Sequence, residues 1–120
     1  MDESIALNIT TEKGVSLIAF QGDSISSVET IAAASTRISD YLTRTKPKLV
    51  VFDFAGVKFF SSQVLGLLLD VRAKLKPFDG RVVISAIDPR LHRVFRITNL
   101  DRIFSFYPDK DAAVNAISTA

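Results

Sequence analysis

The sequence predicts an α/β fold, a mixed β-sheet packed by helices with its elements in the order β-β-α-β-α-β-α-β-α. Three observations carry that reading. The run Leu49-Val50-Val51-Phe52 is unbroken, apolar and rich in β-branched and aromatic residues, which marks a strand covered on both faces and therefore central in a sheet. A long helical run from about Ser62 separates it from a second buried strand, Arg81-Val82-Val83-Ile84-Ser85-Ala86, and strand, helix, strand at this spacing is a parallel crossover. At the start of the chain, Ile5, Leu7 and Ile9 alternate with Ala6, Asn8 and Thr10, and Val15 to Phe20 follows the turn-like Thr11-Glu12-Lys13-Gly14. That pattern is an antiparallel hairpin, so the sheet is mixed. With 120 residues the chain makes one domain, 1–120, large enough for a core of its own.

The remaining elements follow in order. Gly22 ends the hairpin, and Ser26-Ser27-Val28-Glu29 fits a capping box with Glu three residues after the cap, which starts a helix. Val28, Ile31, Ile38 and Leu42 keep helical spacing along its apolar face, and Pro47 stops it by disfavouring helix in Lys46. The second helix stops near Pro77, with Asp79-Gly80 turning the chain. Asp88-Pro89 caps and opens a third helix with Leu91, Val94, Phe95 and Thr98 on one face and Asn99 at its end. A last strand, Arg102 to Tyr107, leads through Pro108-Asp109 to a helix carrying Ala113, Val114, Ala116 and Ile117.

Composition excludes several functions. The chain has no cysteine and one histidine, His92, so a Cys-based zinc site, a thiolate nucleophile and a disulfide framework are ruled out and no metal is expected. His92 reads as a partly exposed surface residue. A net charge of +2 does not call for a polyanion, and Arg90, Arg93, Arg96 and Arg102 read as a solvated helix face rather than a nucleic-acid surface. Asp2 and Glu3 stand where a signal peptide would be basic, and no apolar run reaches the length of a membrane span, so a cytoplasmic protein without membrane contact is expected.

The candidate site is the entrance to the second helix. Ser61 and Ser62 sit where a strand feeds a helix, at unpaired backbone N–H groups and the positive end of the dipole, a natural place for a cap or a phosphate. From position alone, a cap role suffices for either. Asp23 and Asp53, near strand ends, read as acceptors of backbone hydrogen bonds at turns and caps.

The stretch Phe59-Phe60-Ser61-Ser62-Gln63-Val64-Leu65-Gly66-Leu67-Leu68-Leu69, with Asp53, Gly80, Pro89, Arg93-Val94-Phe95 and Phe104, resembles the STAS domains, specifically the bacterial anti-sigma factor antagonists, over nearly the whole chain. That family follows a strand ending in Asp with an Asp-Ser-Ser/Thr-Gly-Leu-Gly motif that opens a helix. The resemblance implies a single STAS-like domain and places Ser62 on the serine that a cognate anti-sigma factor, a serine kinase, phosphorylates. Leu65 and Gly66 match the motif's Leu-Gly. Ser61 stands where the motif has Asp, Gln63 where it has Ser or Thr, and Val64 where it has Gly; Ser61 is the alternative acceptor.

The function implied is that of an anti-sigma factor antagonist, which binds the kinase, frees a sigma factor and is switched off by phosphate on Ser62. Other STAS proteins and a phosphatase are further partners the resemblance suggests, and no cofactor is implied. A STAS scaffold without a switch is the alternative. A serine-dependent enzyme is the competing class, and it lacks the small residues of a G-x-S-x-G elbow, because Phe60 and Val64 stand at the glycine positions. At about 100° per residue, Val64, Leu67, Leu68, Val71 and Leu75 form the core face of the second helix. Ser62, Leu65, Gly66 and Leu69 then make the centre of a docking surface that also runs by Ala73, with Arg72 and Lys76 on its rim. Val64 is expected to crowd a partner built for glycine and so to select a dedicated kinase.

Overall fold

The computed structural model describes residues 7–118. Leu7–Glu12 (β1) and Val15–Phe20 (β2) pair antiparallel, Leu7 opposite Phe20 and Glu12 opposite Val15. Only Lys13 and Gly14 turn the chain, and both have positive φ, 54° and 76°, as a two-residue hairpin turn of the right twist requires. Thr11 and Glu12 are therefore strand rather than turn, while Ile5 lies outside the described residues.

Leu49–Asp53 (β4), Arg81–Ser85 (β6) and Ser105–Tyr107 (β7) extend the sheet in the order β1-β2-β4-β6-β7, all parallel from β2 onward. The mixed sheet is thus present with β4 at its centre. Two further strands, Ser24–Ile25 (β3) and Phe59–Phe60 (β5), pair in parallel apart from it. They are too short to carry a period of two and leave no signature in the sequence.

Four helices, Val28–Thr45 (α1), Ser62–Leu75 (α2), Pro89–Ile97 (α3) and Lys110–Ser118 (α4), cover the sheet. Alternation sends Val50 and Phe52 to the face under α1, α2 and α3, where Ile31, Ile38, Leu68, Val71 and Phe95 complete the larger core. Val51 and Val83 point the other way, against Ala113, Val114 and Ile117 of α4. Ala116 is exposed.

Several boundaries differ from the sequence expectation. The N-cap of α1 is Ser27, whose Oγ accepts from the Thr30 amide at 3.3 Å. Glu29 takes a bond from that same hydroxyl at 3.1 Å, so the reciprocal box starting at Ser26 is not formed. Val28, one residue into the helix, is 60% exposed and outside the core. The strand expected from Arg102 starts at Ser105, because Leu100–Arg102 forms a 3₁₀ turn after Asn99, which has φ 64°. In α3, Leu91 and Phe95 are buried but Val94 only partly, and Thr98 is exposed. Asp88 caps α3 as expected, accepting from the Arg90 amide at 2.8 Å. The Arg90 side chain and that amide together hold the Asp88 carboxyl below the usual carboxylate range.

Gly80 shows how tightly α2 is returned to the sheet. A Cβ there would lie 2.7 Å from Leu75 Cβ and 3.0 and 3.1 Å from the carbonyl oxygens of Leu75 and Lys48. Two of those neighbours are backbone and cannot rotate away. Gly80→Ala is expected to destabilise the domain by about 1–3 kcal/mol, read as a lowered urea midpoint with unchanged slope; an unaltered midpoint would show that the α2–β6 turn yields.

Candidate functional site

The path from β4 to α2 is fixed bond by bond. Beyond Asp53, the Phe54 amide donates to Ser85 O at 3.0 Å, and the Val57 amide donates to Phe54 O at 3.0 Å across Gly56, which has φ 83°. Phe54 and Val57 are fully buried and anchor this turn. The amides of Lys58 and Phe59 both donate to Asp23 O, at 2.8 and 3.1 Å, Phe60 pairs with Ile25, and the Ser61 amide donates to Ile25 O at 3.0 Å. The segment before α1 thus holds the entrance of α2 in place.

The two aspartates differ from the turn and cap role expected of their side chains. Asp53 Oδ1 accepts from the buried Ser85 hydroxyl at 2.9 Å, tying the carboxyl ends of β4 and β6 together. Asp23 contributes through its main-chain carbonyl.

Ser61 occupies the N-cap position with extended backbone, φ −81° and ψ 163°, but its side chain makes no cap bond. Its Oγ is buried without a hydrogen-bond partner. The expectation that a serine hydroxyl caps α2 is therefore corrected: the first turn is closed by the main chain, the Val64 amide donating to Ser61 O at 3.0 Å. Ser62 is the first helical residue and is exposed. No acidic side chain lies in the first turn, so the helix itself supplies no charge to offset the positive end of its dipole.

Along α2, Val64, Leu67, Leu68, Val71 and Leu75 are buried, as the projection expected. Ser62, Gly66, Leu69 and Ala73 are exposed and form a continuous uncharged crest, with Leu69 at 37%. Three expectations are corrected. Leu65 is 8% exposed and belongs to the core, so the buried arc is wider than the stripe over the sheet. Arg72 is half-buried and lines a cleft with Arg81 and Ser105 rather than standing free on the rim. Val64 is fully buried, so its bulk meets the core and not a docking partner. Lys76 is exposed.

A groove of about 300 Å³ runs beside the crest between α1 and α2, lined by Val28, Ile31, Gln63, Gly66, Leu67 and Asp70. The sequence reading missed it. Its only signal was that Val28 precedes Ile31, the first buried residue of α1. His92 rests its ring on Phe106, centroids 4.3 Å apart, and Arg90, Arg93, Arg96 and Arg102 are exposed. Among the described residues no helix is long and apolar enough to cross a membrane and no cluster of His, Cys, Asp and Glu fits a metal ion.

Comparison with known proteins agrees with this geometry. The model of the STAS domain matches residues 6–113. An anti-sigma factor antagonist from Mycobacterium paratuberculosis superposes with a TM-score of 0.81 at 28% identity, covering 98% of this chain and 97% of that one. An anti-sigma-factor antagonist (STAS) domain protein from Planctomyces limnophilus gives 0.86 at 22% identity, covering 95% and 98%. The Bacillus cell fate determinant SpoIIAA in its phosphorylated form gives 0.73 at 18% identity, covering 93% and 99%. With the match spanning the hairpin, the parallel sheet and the serine-bearing helix entrance, this chain belongs to the STAS domain family.

Proposed function

We propose that this protein is an anti-sigma factor antagonist: it docks on a kinase-type anti-sigma factor through the crest of α2, and phosphorylation of Ser62 releases it. The observation that carries the reading is the exposed Ser62 hydroxyl at the first position of α2, at one end of an uncharged surface. Between the two candidate acceptors, the burial of Ser61 Oγ favours Ser62. The names borne by the solved neighbours, one of them phosphorylated, support the same role.

Gly66 adds weight. Glycine inside a helix costs about 1 kcal/mol relative to alanine, yet nothing in the molecule lies within 4 Å of a Cβ built there. The fold has no need of glycine at this point, so the demand comes from outside, as a close approach of a partner's surface.

The mechanism is electrostatic. Ser62 Oγ takes the terminal phosphoryl group of ATP held by the kinase, losing its proton as ADP leaves. The product carries about −1.5 to −2 charges. A helix N-terminus favours that charge, so the domain stays folded, while desolvating it against a partner that binds ADP or ATP phosphates disfavours the complex. A scaffold role without a switch uses the same crest and differs only in its indifference to phosphate. The enzyme reading has less support, since Val64 fills the core where a nucleophile elbow needs a small residue.

Ser62→Ala is expected to bind the kinase constitutively and Ser62→Asp at least tenfold more weakly, measured by calorimetry with and without ATP and by mass spectrometry of Ser62. Equal binding by both variants, with no phosphate on Ser62 after incubation with kinase and ATP, would discard the switch. Gly66→Ala is expected to stabilise the domain by about 0.5–1 kcal/mol while weakening the complex; tighter or unchanged binding would remove Gly66 from the interface. Leu69→Arg should abolish binding with a melting temperature within a few degrees of the parent, because the arginine stem follows the same helix surface. A large loss of stability would place Leu69 in the core.

A further inference from the structure

A second site lies at the sheet edge, away from the crest. β7 begins opposite Val83, so the first two residues of β6, Arg81 and Val82, have no strand beside them on that edge. The result is a notch of about 180 Å³ between α2, the start of β6 and the turn entering β7.

The polar side chains that line it, those of Arg72, Arg81 and Ser105, can all donate a hydrogen bond. The Arg81 amide points toward β4, donating to Lys48 O at 2.7 Å. Main-chain groups of successive strand residues point to opposite edges, so those of Val82 face the notch. Side chains alternate as well: Val82 faces the core under α2 and Val83 the core under α4, which puts Arg81 on the α4 side. Arg72, from α2, comes from the other side. The two arginines therefore reach the opening from the two faces of the sheet, and Ser105, opposite Val83, lies on the same face as Arg81.

Neither arginine is neutralised by a described residue. Among the described residues, neither Arg72 nor Arg81 forms an ion pair, and no carboxylate lines the notch. Arg72 is half-buried, and a guanidinium drawn partly out of water without an anion is unfavourable. Two forks converging from different directions match the several oxygens of a tetrahedral anion better than the single plane of a carboxylate.

We propose that this notch binds a phosphate group, either the free ion or the phosphate of a small phosphorylated metabolite. The site is independent of the reading of α2 as a docking crest. Its test is an NMR titration of the full chain with inorganic phosphate and, separately, glycerol 3-phosphate, at constant ionic strength with chloride as the reference. Shifts confined to the Val82 and Ser105 amides and the Arg72 and Arg81 side chains are expected, saturating with phosphate and absent with chloride. Arg72→Gln and Arg81→Gln should each weaken binding about tenfold or more, Arg81→Lys by less, and Arg93→Gln not at all. Tighter binding of the ester assigns the site to a metabolite and tighter binding of the free ion to phosphate itself; either sustains it. Equal effects of chloride and phosphate, or an equal loss in Arg93→Gln, would overturn the proposal, as would binding of an acidic peptide at the notch with no response to phosphate.

Discussion

Burial of β4 on both faces is the constraint on which the rest depends. Val50 and Phe52 pack under three helices and Val51 against α4, and all three are wholly removed from solvent. Each such side chain contributes about 1.5–3 kcal/mol on burial, but the larger consequence is geometric. A strand that cannot shift by one residue without exchanging its two faces fixes its own register. Asp53 is thereby placed at the carboxyl edge of the sheet, where it meets the Ser85 hydroxyl. From that point the chain has only the turn across Gly56 and the two-residue ladder with Ser24–Ile25 before α2 begins. The position of Ser62 is inherited from the centre of the sheet through main-chain bonds and the buried side chains of Phe54 and Val57.

That inheritance explains which features were readable beforehand. The strands β4 and β6 and the inner face of α2 announce themselves by apolar runs and helical spacing. The cap at Asp88 with Pro89 does so by residue type. The ladder between Ile25 and Phe60 does not, because its stability comes from partners distant in sequence and two residues define no period. Ser27 instead of Ser26 as the cap of α1 is a shift of one residue, the usual limit of boundary reading.

The side chains of α2 show a different limit. A projection at about 100° per residue orders residues around an axis but does not say where burial stops. Val64 and Leu68 lie at the middle of the buried arc, where spacing alone decides burial. Leu65 and Arg72 lie at one margin of that arc, where the sheet edge and the turn before β7 decide; one is core and the other lines the notch. Val28 fails for the opposite reason: it has helical spacing with Ile31 yet precedes the point where α1 reaches the core. The uncharged crest was legible because it needs only the absence of charge at Ser62, Gly66, Leu69 and Ala73, a property of sequence and not of packing.

The unbonded hydroxyl of Ser61 bears on how a phosphate at the neighbouring residue would be received. A capping side chain would satisfy an amide of the first turn and lessen its pull on an anion. Here Ser61 Oγ makes no such bond, no acidic residue stands in that turn, and only the Val64 amide is closed, by Ser61 O. The entrance of α2 therefore keeps its positive end available at the one residue whose hydroxyl is exposed. A domain selected only for stability gains about 1 kcal/mol from a cap at this position and would be expected to use the serine already in place. The cap is left unmade beside an exposed serine and one turn before Gly66, where a Cβ would meet nothing within 4 Å.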